Sequence, residues 1–113
     1  FFAKSLTRGI QVLNIKQTIK DKTIIYALNG DIDMSTDDEL DHISQNIDGY
    51  NKIVLDFANI KFVDSSGIGK LIHISREIKS KDVELKFRNI SEEVGMIFNM
   101  LGVYEVIGEN AFE

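Results

Sequence analysis

The sequence lacks cysteine, proline and tryptophan altogether. Without cysteine it can form neither a disulfide nor a thiolate metal site. No stretch approaches the roughly 18 continuous apolar residues that a membrane-spanning helix requires. Basic residues are in the minority, with 13 lysines and arginines against 18 acids and a net charge of −5. Because nucleic-acid binding needs clustered basic side chains, the sequence predicts neither a nucleic-acid partner nor a membrane partner.

The remaining composition is that of one ordinary globular domain. The 113 residues are 43% hydrophobic and 27% charged, enough to bury one core but not two. The chain begins at Phe1 rather than methionine, and the apolar part of its first ten residues is too short to resemble a complete signal peptide. We therefore expect residues 1–9 to be a tail or extra segment, residues 10–113 to form the domain, and the protein to be cytoplasmic.

Apolar periodicity alternates between the spacing of strands and that of helices. Strands are predicted at 12–19, 23–30, 52–57, 83–90 and 103–107, and helices at 35–47, 67–80 and 91–101. The first two strands predict a hairpin, and Ser91 is expected to cap the third helix. The order β-β-α-β-α-β-α-β indicates an α/β domain. We expect a mixed, mostly parallel sheet of about five strands flanked by three or four helices.

Acidic side chains crowd the segment before and within the first predicted helix. They are Asp31, Asp33, Asp37, Asp38, Glu39 and Asp41. Most of them are interpreted as favourable charges at a helix N-terminus, with Thr36 and Glu39 forming a capping box. A pair of carboxylates for acid–base catalysis, as in a small enzyme, is the less favoured interpretation. Asp33 is the one acid that we retain as a candidate functional residue.

The stretch FVDSSGIGKL, residues 62–71, raises the main chemical question. Gly69 and Lys70 in this stretch resemble the end of a phosphate-binding loop. However, Asp64 stands where that loop needs its first glycine, and Leu71 where it needs a hydroxyl for magnesium. The sequence therefore excludes a P-loop here.

A serine nucleophile is also disfavoured in this stretch. Neither Ser65 nor Ser66 lies in the G-x-S-x-G pattern of hydrolases. The only two histidines, His42 and His73, are both expected on solvent-facing sides of their helices rather than beside a nucleophile.

Asp64, Ser65 and Ser66 instead fit the N-terminus of a helix, where the acid or one serine would cap free N–H groups. Gly67 and Gly69 would allow close packing. The same position could hold a phosphate, because a phosphoserine brings about −1.5 to −2 charges close to those donors. The carboxylate of Asp64 would repel the added charge. Phosphorylation should therefore change the electrostatic field at the protein surface more than it changes the fold. The residues alone leave capping and phosphorylation both open.

The segment IVLDFANIKFVDSSGIGKL, residues 53–71, closely resembles the pattern of STAS domains, and specifically of the bacterial anti-sigma factor antagonists. LNGDIDMST (28–36) resembles the strand-to-helix turn of that family, and LGVYEVI (101–107) its closing helix-turn-strand. The resemblance covers about residues 10–108. It implies that Ser65 is a phospho-acceptor, with Ser66 as the alternative. The final helix of many members is expected to be short or absent.

The resemblance also implies partners. The unphosphorylated protein would bind an anti-sigma factor, a serine kinase of the GHKL type, and thereby free a sigma factor. Phosphorylation by that kinase would break the complex, and a PP2C-like phosphatase would restore it. The implied partner-binding residues are Asp33, Met34, Ser35, Asp64, Ser65, Ser66, Gly67 and Ile68. On this hypothesis the protein is not an enzyme and needs neither a cofactor nor a metal.

Other functions remain as alternatives. Some STAS domains are not phosphorylated and serve as scaffolds or as subunits of signalling or transport assemblies. A phospho-receiver domain is less favoured, although Asp56 could be its acceptor. A phospho-receiver needs acids at the end of its first strand to hold a magnesium ion, and a lysine at the end of a later strand. Here the strand at 12–19 ends in no acids, and Lys86 lies inside its strand rather than after it.

Overall fold

The computed structural model describes residues 13–113, and the predicted segment 1–9 lies outside that range. A four-stranded sheet has the order β1-β2-β3-β4. The strands are β1 (Asn14–Lys20), β2 (Thr23–Ile32), β3 (Lys52–Val63) and β4 (Glu84–Arg88). The helices are α1 (Asp37–Gln45), α2 (Ser65–Ser80), α3 (Glu92–Met100) and α4 (Val103–Ile107), with 3₁₀ turns at Met34–Thr36 and Glu109–Ala111. The predicted mixed α/β class is confirmed.

Strand pairing follows the predicted topology. β1 and β2 are antiparallel, with Lys20 opposite Thr23, so the hairpin is confirmed. β2 pairs with β3, and β3 with β4, in parallel. Parallel neighbours require crossover connections, which contain α1 and α2. The carboxyl ends of β2, β3 and β4 therefore point the same way, and the DSSG stretch follows one of them.

The core lies on the helix-covered face of the sheet. In β2 the buried Ile24, Tyr26 and Leu28 alternate with less buried residues, and β4 alternates in the same way. The helix α2 packs an apolar stripe against this face, and its buried residues include Ile68, Leu71, Ile74 and Ile78. Alternation in the strands and helical spacing in α2 thus bury one shared set of side chains.

An aromatic cluster closes the core beneath α3 and α4. The ring centroid of the fully buried Phe98 lies 6.0 Å from Phe57, 6.0 Å from Tyr104 and 6.1 Å from Phe112. Phe87 and Phe112 stack at 4.7 Å. Edge-on and stacked contacts of this kind add to the apolar burial itself. They connect the two C-terminal helices to the middle of the sheet.

The predicted fifth strand at 103–107 is wrong, because these residues form α4. Val103 and Ile107 stand one helical turn apart and are both buried, so helical spacing satisfies the core even though the residues favour strands. Gly102 begins this helix with a left-handed φ of 71°. Within the described residues, the outer edge of β4 is paired only through an isolated bridge between Phe87 and Phe112.

β3 is longer than predicted, ending at Val63 instead of residue 57. Its second half pairs with β2 alone, through register shifts after Ala27 and Gly30. Asp56 therefore lies inside a strand rather than at its end. This extension carries the chain directly to Asp64 and the start of α2.

Candidate functional site

Two aspartates meet where β2 and β3 end. Ile32 of β2 lies opposite Val63 of β3, so the residues that follow, Asp33 and Asp64, emerge side by side. The Asp64 N–H donates a hydrogen bond of 3.2 Å to the Ile32 carbonyl. The structure thus brings together the two acids that the sequence analysis singled out.

Asp33 begins the 3₁₀ turn that precedes α1. Its carboxylate accepts from the Ser35 backbone N–H at 2.9 Å and from the Ser35 hydroxyl at 2.6 Å. The Asp33 N–H donates in return to the Thr36 hydroxyl at 3.1 Å, which completes a capping box. The predicted box between Thr36 and Glu39 is wrong. The hydroxyl of Thr36 is engaged by the preceding 3₁₀ turn and makes no capping bond for α1.

Asp64 is the residue that caps α2. Its Oδ1 accepts from the Gly67 N–H at 2.8 Å. Of the capping candidates in the sequence, the acid therefore takes the role, and neither serine hydroxyl is needed for it. Ser65 and Ser66 open the helix and are both exposed. Their backbone N–H groups belong to the first turn, where the helix dipole favours negative charge.

Gly67 brings the start of α2 into direct contact with β2. A Cβ built at Gly67 would lie 2.3 Å from the Ile32 carbonyl oxygen and 2.7 Å from the Ile32 Cγ2. Only glycine fits there. Ile68, the next residue, is buried in the core. Both residues were predicted to bind a partner, but their burial means that they position α2 and offer no side chain at the surface.

Two exposed apolar side chains flank the acids and serines. Met34 and Phe62 are both exposed, and Phe62 lies opposite Asp31 in the strand register. Phe62 was not among the predicted site residues, because the strand was expected to end at residue 57 and instead ends at Val63. The sequence does contain a signal for it: the spacing of the apolar residues Ile60 and Val63, both buried in β3, leaves Phe62 outside the core. We define the DSSG surface as Asp33, Met34, Ser35, Phe62, Asp64, Ser65 and Ser66.

The DSSG surface is acidic, and the first cation along α2 does not offset it. Lys70 pairs with Asp41 of α1 at 2.8 Å. This hydrogen bond raises the pKa of Lys70, and the Coulombic attraction of Asp41 acts in the same direction. Lys70 is therefore engaged with α1, and its charge is matched by a carboxylate.

Neither histidine is placed to activate a serine. His73 lies eight residues after Ser65 on α2, about 12 Å along the helix axis, and its exposed ring is 3.6 Å from Glu77. His42 is exposed on α1, so both histidines face solvent as predicted. Within residues 13–113 no cluster of three or more His, Cys, Asp or Glu side chains could hold a metal ion.

Asp56, the acceptor required by a phospho-receiver, is occupied by structural hydrogen bonds. Its Oδ1 accepts from the Ala58 N–H at 3.0 Å and from the Asn89 side-chain amide at 2.9 Å. Asp56 therefore bonds nearby backbone and the side chain that follows β4. None of the helices in the described chain is long and apolar enough to span a bilayer.

The STAS domain family model matches residues 14–113. The chain belongs to the STAS domain family. An anti-sigma-B factor antagonist of Staphylococcus aureus is 27% identical over 100 residues, which cover 87% of this chain and 93% of that protein.

Several solved structures share the fold at lower identity. A sulfate transporter family protein from Wolinella succinogenes has a TM-score of 0.75 at 19% identity, covering 84% of this chain and 79% of that chain. The anti-sigma factor antagonist SpoIIAA in its unphosphorylated form has a TM-score of 0.69 at 21% identity, covering 89% and 85%. The phosphorylated form of SpoIIAA gives 0.66 at 20% identity, covering 89% and 88%. Because these neighbours include a transporter-family protein and an antagonist, the fold alone does not select a function.

Proposed function

We propose that this STAS domain is an anti-sigma factor antagonist controlled by phosphorylation of Ser65. The observation that carries the proposal is that Ser65 is exposed at the first turn of α2, while Asp64 supplies the cap. The serine hydroxyl is thus available for modification without loss of a structural contact. The near-full-length similarity to an anti-sigma-B factor antagonist supports the same function. Ser66, also exposed, is the alternative acceptor.

Phosphorylation would act mainly on the charge of the surface. A phosphate on Ser65 adds about −1.5 to −2 charges next to Asp33 and Asp64. The Asp64 cap and the contact of Gly67 with Ile32 do not involve the hydroxyl, so the fold would stay intact. On this proposal Ser65 faces the phosphates of the ATP bound by the kinase, so a phosphate on Ser65 would oppose charge of the same sign. Like charges opposed across an interface cost several kcal/mol, and about 1.4 kcal/mol corresponds to a tenfold loss of affinity. The phosphorylated form would therefore release its partner.

The proposed partner is an anti-sigma factor that is also a serine kinase of the GHKL type. It would bind the DSSG surface, where Met34 and Phe62 supply apolar contact area and the acids supply specificity. The protein would be a substrate of this kinase and of a PP2C-like phosphatase, and not itself an enzyme. Because sigma factors act in transcription, this role would place it in the cytoplasm.

The test compares wild type with Ser65→Ala, Ser65→Asp, Ser66→Ala and Ser66→Asp. Each variant is titrated with the GHKL-type kinase of the source organism by calorimetry, then incubated with ATP and examined by mass spectrometry. We expect Ser65→Asp to bind at least 100-fold more weakly and Ser65→Ala to bind normally without being phosphorylated. The Ser66 variants test the alternative acceptor, and a loss of binding in Ser66→Asp but not in Ser65→Asp would assign the switch to Ser66. Equal binding by all variants, with no phosphate on either serine, would refute the proposal.

A constitutive scaffold or a subunit of a transport assembly is the second candidate. The fold is compatible with this function as well, because the structural neighbours include a sulfate transporter family protein from Wolinella succinogenes. A scaffold would hold the same partners whether residue 65 is serine, alanine or aspartate. The same titration therefore separates the two functions.

A further inference from the structure

Exposed apolar side chains are concentrated on the two C-terminal helices. Met96 is 65% exposed, Met100 78%, Leu101 49% and Val106 50%. They are four of the seven large hydrophobic side chains that are exposed in the described part of the chain. Exposed apolar side chains grouped on neighbouring elements often mark an interaction site. We call these residues the α3–α4 patch.

The α3–α4 patch is a second face of helices that already contribute to the core. Met96 and Met100 are one helical turn apart, whereas the buried residues of α3 are Val94 and Phe98. The methionines are therefore on the side of α3 that the core does not use.

Acidic side chains surround the α3–α4 patch. Glu92 and Glu93 open α3, Glu105 lies on α4 beside Val106, and Glu109 follows; all four are exposed. After Arg88 the sequence contains no lysine or arginine as far as residue 113, although it contains five glutamates. The chain segment that carries the patch is therefore acidic, and the nearby cations, Lys79 of α2 and Lys86 of β4, donate to the Ile107 and Asn110 carbonyls at the end of α4 and beyond it.

The base of the α3–α4 patch is preorganised. Phe98 lies beneath α3 and contacts Phe57, Phe112 and Tyr104 of α4. These aromatic contacts fix α3 and α4 against the sheet. Flexible methionine side chains on a rigid base can adapt to a partner without backbone ordering, which reduces the entropic cost of binding.

We propose that the α3–α4 patch binds a basic amphipathic helix of a partner protein. Methionine, leucine and valine would receive the apolar face of that helix, and the glutamates would pair with lysines or arginines along its edges. A second copy of this chain fits poorly. A twofold contact would place the glutamates against themselves, and each copy has a net charge of −5. Nucleic acid and anionic lipid would be repelled in the same way. The patch does not involve Ser65, so this proposal stands apart from the phosphorylation proposal.

The probe is a fluorescein-labelled 18-residue peptide of leucine and lysine at helical spacing, titrated with the full chain by anisotropy. A peptide with glutamate in place of lysine is its matched control. The protein variants are the double substitutions Met96→Gln/Met100→Gln and Glu92→Lys/Glu93→Lys. Ile19→Gln is the control, because Ile19 is 48% exposed but lies on β1.

We expect saturable binding of the lysine peptide by wild type and by Ile19→Gln. Each double variant should weaken it at least tenfold, and the glutamate peptide should not bind wild type. Equal binding by wild type and the methionine variant would overturn the proposal, because it would indicate charge attraction alone. Sedimentation of each protein without peptide tests whether a second copy of this chain occupies the patch instead. A wild-type dimer that the methionine variant loses would assign the patch to a second copy and likewise overturn the proposal.

Discussion

Replacing Gly67 with alanine should destabilise the protein, whereas the same change at Gly69 should not. At Gly67 the new Cβ would lie 2.3 Å from the Ile32 carbonyl oxygen and 2.7 Å from the Ile32 carbonyl carbon. These atoms are backbone at the end of β2, so no change of rotamer relieves the contact. At Gly69, two residues along the same helix, a Cβ meets nothing within 4 Å.

The size of the effect follows from the movement that Gly67→Ala requires. To restore ordinary contact the start of α2 must move away from β2 by about an ångström, and overpacking of this kind costs about 1–3 kcal/mol. The same movement stretches the bond from the Asp64 N–H to the Ile32 carbonyl, now 3.2 Å long. Losing that bond costs about 1 kcal/mol, and alanine in a helix returns about 1 kcal/mol. The net destabilisation is therefore about 1–3 kcal/mol, against a stabilisation of about 0.5–1 kcal/mol for Gly69→Ala.

Urea unfolding followed by circular dichroism measures both variants. With a slope of about 1–3 kcal/mol per molar urea, Gly67→Ala should lower the unfolding midpoint by roughly 1 M, and Gly69→Ala should raise it slightly. If Gly67→Ala unfolds at the wild-type midpoint, α2 does not approach β2 as closely as described. Equal losses in both variants would point to helix flexibility instead of the Ile32 contact.

Three further predictions concern the cap, the core and pH. Asp64→Ala should lower the free energy of unfolding by about 1 kcal/mol because it removes the cap of α2, whereas Ser65→Ala should change it by less than about 0.5 kcal/mol; equal losses in thermal melts would contradict capping by Asp64. Phe98→Ala should cost about 3–5 kcal/mol in urea unfolding, and a loss below about 1 kcal/mol would mean that the aromatic cluster does not support α3. Burial, followed by the proximity of Tyr50, raises the pKa of Tyr26 above its ordinary value of 10.0 in the folded state. The stability linked to this phenol is present below pH 10 and is lost as the pH rises through the folded pKa; Tyr26→Phe should flatten the fall in unfolding free energy between about pH 9 and pH 11, and an unchanged slope would contradict the shift.

The elements with strong periodicity could be predicted from the sequence. The hairpin, the α2 stripe and the cap of α3 by Ser91, whose hydroxyl accepts from the Val94 N–H at 3.1 Å, all depend on residues close together in the chain. α4 could not be predicted in the same way. Its β-branched residues favour a strand, and only burial of Val103 and Ile107 in the folded core makes the helix preferable.

The candidate site was predictable in its chemistry but not in its arrangement. The motif identified Asp33, Asp64 and the serines, because their residue types suit a helix N-terminus. The burial of Gly67 and Ile68 and the exposure of Phe62 depend on how far β3 extends beside β2. Register between parallel strands is a long-range property, so local patterns do not contain it.

The structure separates the groups that hold α2 in place from those that it exposes at the surface. Asp64 caps the helix through the Gly67 N–H of α2, and the close approach of Gly67 to the Ile32 carbonyl fixes the distance of α2 from β2. The serine hydroxyls take no part in these contacts, so a change of charge on Ser65 has no structural bond to break. A site built in this way can be modified and restored many times while the domain stays folded. That independence suits reversible control, because adding or removing a phosphate on Ser65 would leave both the Asp64 cap and the contact of Gly67 with Ile32 unchanged.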